Sequence, residues 1–234
     1  MFLSFKKIYV ILAVLAFTIP VVSGSKEPIN TNNEVHKNVI VPKGIEFVYD
    51  SLHLESKGLS RVAYNYAVSG YKELKQKRMI HNDSILTIVD FDQPSYNKRM
   101  YIIDIKNFKV LFNTWTAHGK NTGLEMAKYF SNSPQSNKSS LGLYITDKTY
   151  NGKNGYSLKL IGLENVNSNA SKRAIVLHGA PYVNQRAINI NGYIGRSHGC
   201  PAVPQELNKP IIERIKGGSC FFIYSTSYHH NYSI

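Results

Sequence analysis

The apolar period of this chain changes once, near Met79, and that change limits what the chain can build. Before it, Leu59, Val62, Ala63, Tyr66, Ala67, Gly70, Tyr71 and Leu74 recur at spacings of three and four. That is one face of an amphipathic helix. Lys72, Lys75, Lys77 and Arg78 lie off the stripe or past its end, where basic residues suit a helix C-terminus. After Met79 the apolar residues come as short runs rich in β-branched and aromatic side chains: 85–89, 100–105, 110–115, 143–146, 158–161, 174–177 and 220–224. Lys106-Asn107 between the second and third runs suits a hairpin. A further helix is expected from Pro204 to Lys216, ended by Gly217-Gly218, with Pro210 awkward in its middle. The pattern predicts a mainly β fold, an antiparallel sandwich or barrel, with an N-terminal helix and a short helix near the C-terminus.

Composition narrows the class. Of 234 residues 43% are hydrophobic, too many for a disordered chain. Two Cys are too few for a disulfide scaffold or a multi-cysteine metal site. The net charge of +13 points to an anionic counterpart: nucleic acid, membrane surface or cell-wall polymer. No aromatic-interleaved basic motif supports nucleic acid, and no partner of that kind is expected. At the N-terminus, Lys6 and Lys7 precede an uncharged stretch from Ile8 to Val22, shorter than the ~20 residues of a membrane-spanning helix. With small residues at Val22-Ser23-Gly24, residues 1–24 read as an export signal; the alternative is an uncleaved membrane anchor. Residues 25–44 read as a polar linker, 45–226 as the folded domain and 227–234 as a C-terminal tail. Export places the domain in the cell envelope.

The residues able to do chemistry concentrate between His178 and Cys200. Ile175-Val176-Leu177 leads into His178-Gly179, which sets an imidazole at the tip of a strand. Further on, Gly195-Arg196-Ser197-His198-Gly199-Cys200 surrounds a thiol with two glycines, an imidazole and a cation. A reactive thiol needs such neighbours to ionise. The alternative is a disulfide between Cys200 and Cys220, although Cys220 lies in an apolar Phe-Phe-Ile run where a buried thiol is expected. Ala117-His118-Gly119 repeats the His-Gly form. His118, His178 and His198 lack the spacing of a zinc site, so no metal is expected, and no phosphate loop calls for a nucleotide cofactor.

His178-Gly179 followed by Ser197-His198-Gly199-Cys200 resembles the signature of the L,D-transpeptidase catalytic domain, in its murein L,D-transpeptidase branch. Supporting segments include Asp90-Phe91, Phe130-Ser131-Asn132, Ser139-Ser140-Leu141-Gly142, Arg173-Ala174-Ile175-Val176 and Gly195-Arg196-Ser197. The resemblance runs from Leu54 to Tyr224. It implies that Cys200 is the nucleophile and His178 its base, with Gly179 orienting the imidazole. It implies an oxyanion hole from backbone N–H groups at His198, Gly199 and Cys200. It implies peptidoglycan stem peptides as substrate. The commoner members carry an Arg or Asn soon after the Cys, where this chain has Pro201-Ala202-Val203. Arg196 is the candidate replacement for holding the donor carboxylate, with Ser197, His118 and Tyr182 as further substrate contacts.

Overall fold

The computed structural model describes residues 44–229. Residues 1–24, read from sequence as an export signal, and all of the expected 25–44 linker except Gly44 lie outside them. A 3-10 turn at Ile45–Phe47 and a short α1 (Val48–Ser51) lead into α2 (Arg61–Gln76). The α2 start is capped: Ser60 is extended, and its Oγ accepts from Ala63 N–H at 3.1 Å. The buried face differs slightly from the sequence stripe. Tyr64 and Val68 are buried, whereas Val62 is exposed. The reason is Tyr49 of α1, whose ring packs on Tyr64 at 5.2 Å and turns that face of the helix inward.

Eight strands follow: β1 (Ile85–Asp90), β2 (Met100–Asp104), β3 (Lys109–Thr114), β4 (Gly142–Gly152), β5 (Gly155–Gly162), β6 (Val176–Ala180), β7 (Ala202–Pro204) and β8 (Cys220–Tyr224). They form one sheet in the order β3-β2-β1-β8-β4-β5-β6-β7. The expected β2–β3 hairpin is present. The sheet is mainly β as anticipated but mixed, because β1 pairs parallel with β8 and β6 parallel with β7. β1 is buried at every residue, as a strand covered on both faces must be. Its neighbour β8 is likewise buried throughout, and α2 packs on both strands. The two ends of the sheet nearly meet: Ala117, just past β3, donates its N–H to Ala202 of β7 at 2.8 Å.

Two further helices complete the fold. α3 (Gln185–Asn191) was not anticipated; Asn184 caps it by accepting from Ala187 N–H at 2.8 Å, and Gly192 ends it in the left-handed region. α4 (Gln205–Ile215) occupies the span expected after the cysteine and keeps Pro210 inside it. It buries Ile211, Ile212 and Ile215 and packs on β5, β6 and β7. β7 itself has only three residues, too few to show a period. Tyr228, assigned from sequence to the tail, is buried against Phe222 and Tyr66, so the packed chain runs past residue 226.

Candidate active site

Strand pairing brings the two ends of the motif together. His178 on β6 stands opposite Ala202 on β7, two residues beyond Cys200, and opposite Ser157 on β5. His178 is 5% exposed, and its Nδ1 lies 2.9 Å from the Gly179 carbonyl. A carbonyl can only accept, so Nδ1 carries the proton and Nε2 is the basic nitrogen. Burial holds the imidazole pKa below its ordinary value, against the pull of the Gly179 carbonyl. The ring is therefore neutral near pH 7, the form that can take up a proton. Gly179 is also where β6 meets α4: a Cβ there would stand 2.9 Å from Asn208 Cβ and 2.9 Å from Gln205 Oε1. Only glycine allows that approach.

Cys200 ends a loop that is tied at several points. Ser197 Oγ donates to the Cys200 carbonyl at 2.6 Å and accepts from Gly199 N–H at 3.0 Å. Ser197 N–H donates to His118 O at 2.9 Å, and Lys120 N–H to Ser197 O at 2.8 Å. Gly199 adopts φ 123°, and a Cβ there would lie 2.7 Å from the Lys138 carbonyl. The thiol is partly exposed and contacts the Ala174 carbonyl at 3.6 Å. Burial pushes its pKa up, while Val176 N–H and the Arg173 charge oppose the rise. Tyr182 is held near the thiol; burial and the Cys200 charge push its hydroxyl pKa up to about 12. Its Cβ would stand 2.5 Å, and its ring 2.7 Å, from a Cβ placed on Gly195. A cavity of about 530 Å³, lined by neither Cys200 nor His178, is walled by Ala174, Val176, Lys159, Ile161, Tyr150 and Asp147; the Ala174 carbonyl links it to the thiol. Lys159 pairs with Val176 across β5 and β6, so it shares the sheet face of His178.

The L,D-transpeptidase catalytic domain family matches residues 55–224. The chain belongs to that family. Among solved structures, an L,D-transpeptidase from Mycobacterium smegmatis is 12% identical with a TM-score of 0.39, over 61% of this chain and 59% of that one. The LD transpeptidase LdtMt1 in complex with imipenem is 12% identical with a TM-score of 0.37, over 60% of this chain and 59% of that one. The chain thus spans about three-fifths of each of those structures. Comparison with curated proteins finds no match.

Within this L,D-transpeptidase domain the remaining candidates fall into different places. Cys200 and Cys220 are both free, which removes the disulfide alternative; Cys220 is fully buried on β8. His198 is exposed beside the thiol. Gly199 N–H is already bound to Ser197 Oγ, so it is not an available oxyanion donor. Ser197 is 5% exposed and engaged on both sides, which makes it a loop staple rather than a substrate contact. His118 is fully buried, with no surface to offer a substrate. Its Nδ1 faces Arg99 Nη2 at 2.7 Å, which can only donate, so the proton sits on Nε2, facing the Gly123 carbonyl at 3.2 Å. Burial and Arg99 push its pKa down to about 3. Arg196 binds the carbonyls of Lys120 and Gly123, both at 3.2 Å, and lines a separate depression with Leu124, Glu125, Lys128 and Tyr129.

Two arginines escaped the motif reading. Arg99 is fully buried, with Nε and Nη2 on the Thr116 carbonyl and Nη1 on that of Gln93. Arg173 precedes Ala174 and is the cation whose charge acts on Cys200. No spacing rule marks either one; Arg173 appears only inside a segment that carries the family resemblance.

Proposed function

We propose that this chain is an exported cysteine L,D-transpeptidase acting on peptidoglycan stem peptides in the cell envelope. The observation that carries the reading is the pairing of β6 with β7, which sets a neutral His178 with a basic Nε2 next to the Cys200 loop. Cys200 Sγ attacks the carbonyl of the third residue of a donor tetrapeptide, and its proton passes to His178 Nε2. The oxyanion is held by backbone N–H groups of His198 and Cys200, donors free of other partners among the described residues. His178 then returns the proton to the departing D-alanine amine, leaving a thioester on Cys200. An amine from a second stem attacks that thioester, forms the new amide and releases the thiol, which gives a 3→3 cross-link. Family membership supports this substrate class.

Incubation with purified muropeptides, followed by mass spectrometry, tests the proposal. A dimer of two stems less one D-alanine is the expected product. Tripeptide alone would mean that water is the acceptor and the enzyme a carboxypeptidase. No conversion, together with no carbapenem adduct on Cys200, would leave a wall-binding module and overturn the enzymatic reading.

A further inference from the structure

Arg173 is anchored by several acceptors close to the cysteine turn. Its Nη1 donates to the Ser131 carbonyl at 2.7 Å and to Ser140 Oγ at 3.2 Å, and its Nη2 donates to the Lys138 carbonyl. No carboxylate pairs with it among the described residues. The Nη2 atom lies 3.0 Å from where a Gly199 Cβ would be, directly against the turn that precedes the nucleophile. The next residue, Ala174, takes a left-handed φ of 52°, unusual for a residue with a side chain, and its carbonyl faces the Cys200 thiol. With both terminal nitrogens occupied, the guanidinium is a fixed charge rather than a hook for substrate.

We propose that Arg173 is a positioning residue for Cys200, a clamped cation packed on the Gly199–Cys200 turn that favours the thiolate when the Sγ proton leaves for His178. The inference builds on the proposed nucleophile. The charged and titratable groups around the thiol are Arg173 from the loop before β6, His178 on β6, Tyr182 after it and His198 on the cysteine's own loop. Of these groups Arg173 is the permanent cation: burial lowers its pKa from a high ordinary value, and the Tyr144 and then the Cys200 charge counter that.

The test is the pH dependence of Cys200 alkylation by iodoacetamide, which needs no stem peptide. In Arg173→Gln the midpoint is expected to rise by about one pH unit, and alkylation at pH 7.5 to slow about tenfold, with rates converging at high pH. Arg173→Lys keeps the charge and should hold the midpoint near wild type. An unchanged midpoint in folded Arg173→Gln overturns the proposal. If the Gln variant does not fold, the Lys variant decides: a midpoint displaced by a full unit in folded protein shows that charge is not what acts. The expected shift without muropeptide turnover would leave the role of Arg173 standing and overturn only the transpeptidase reading.

Discussion

A protonated His118 would lie against Arg99, which is fully buried and fixed by backbone carbonyls. The folded pKa of His118 is near 3, against 6.5 in the unfolded chain. The unfolded state therefore binds the extra proton throughout that window. Stability from this site is complete above pH 6.5 and is lost progressively as pH falls toward 3. His118→Gln should flatten the acid limb of a denaturation-midpoint profile over that range, at some cost in stability near pH 7. The two cysteines should separate as sharply. Cys200 should react with a thiol reagent in native protein, faster as pH rises, because burial holds its thiol above the usual range. Cys220 should react only after denaturation, since it is fully buried and its pKa is raised further. Two thiols titrating together in native protein would contradict the packing of β8.

At the scale of elements, the site depends on a strand meeting a helix and a loop meeting a neighbouring segment. Gly179 allows β6 to lie against α4. Gly179→Ala should lower stability by about 1–3 kcal/mol, because the added methyl overpacks against Asn208 and Gln205. It should also slow Cys200 acylation, because the carbonyl that fixes the His178 tautomer shifts with it. Ser197→Ala removes both bonds that staple the cysteine turn. It should cost about 1–2 kcal/mol, and lower acylation by a carbapenem more than it lowers the melting temperature. Equal and small effects on both would show that the turn is held mainly by the backbone bonds of Ser197 to His118 and Lys120 in the segment after β3.

Across the whole molecule, the basic excess is +13, or +11 without Lys6 and Lys7 of the segment read as an export signal. The ion pairs involve side chains that are largely solvated, such as Lys106–Asp83 and Lys216–Glu213. They contribute little to stability. Under the proposed function, the counterpart of this charge is an anionic cell wall. Co-sedimentation with isolated sacculi should therefore fall as salt rises from ~0.1 to ~1 M, where the screening length shrinks from about 10 to 3 Å. The same salt should leave the thermal midpoint nearly unchanged. Salt-resistant binding would point to apolar contact, such as the cavity wall with exposed Tyr150 and Ile161, as the stronger one.

Local pattern alone determined the elements: the period of three and four before Met79, the short apolar runs after it, and the Lys106-Asn107 hairpin. These are set by side chains within a few residues of one another, so the chain carries them wherever it is read. His178 and Cys200 were legible as chemical candidates for the same reason, since His-Gly and Ser-His-Gly-Cys are contiguous. Register, direction and burial were not legible. The parallel β1–β8 and β6–β7 pairings join segments distant in sequence, and β7 is too short to announce itself. Arg196 adjoins the cysteine motif but binds the 120–123 carbonyls, whereas Arg173, far along the chain from Cys200, reaches its turn. His118 and Ser197 looked available because the sequence does not show what covers them. A side chain's type belongs to the residue, but the partner that uses up its hydrogen bonds or charge is supplied only by the tertiary fold.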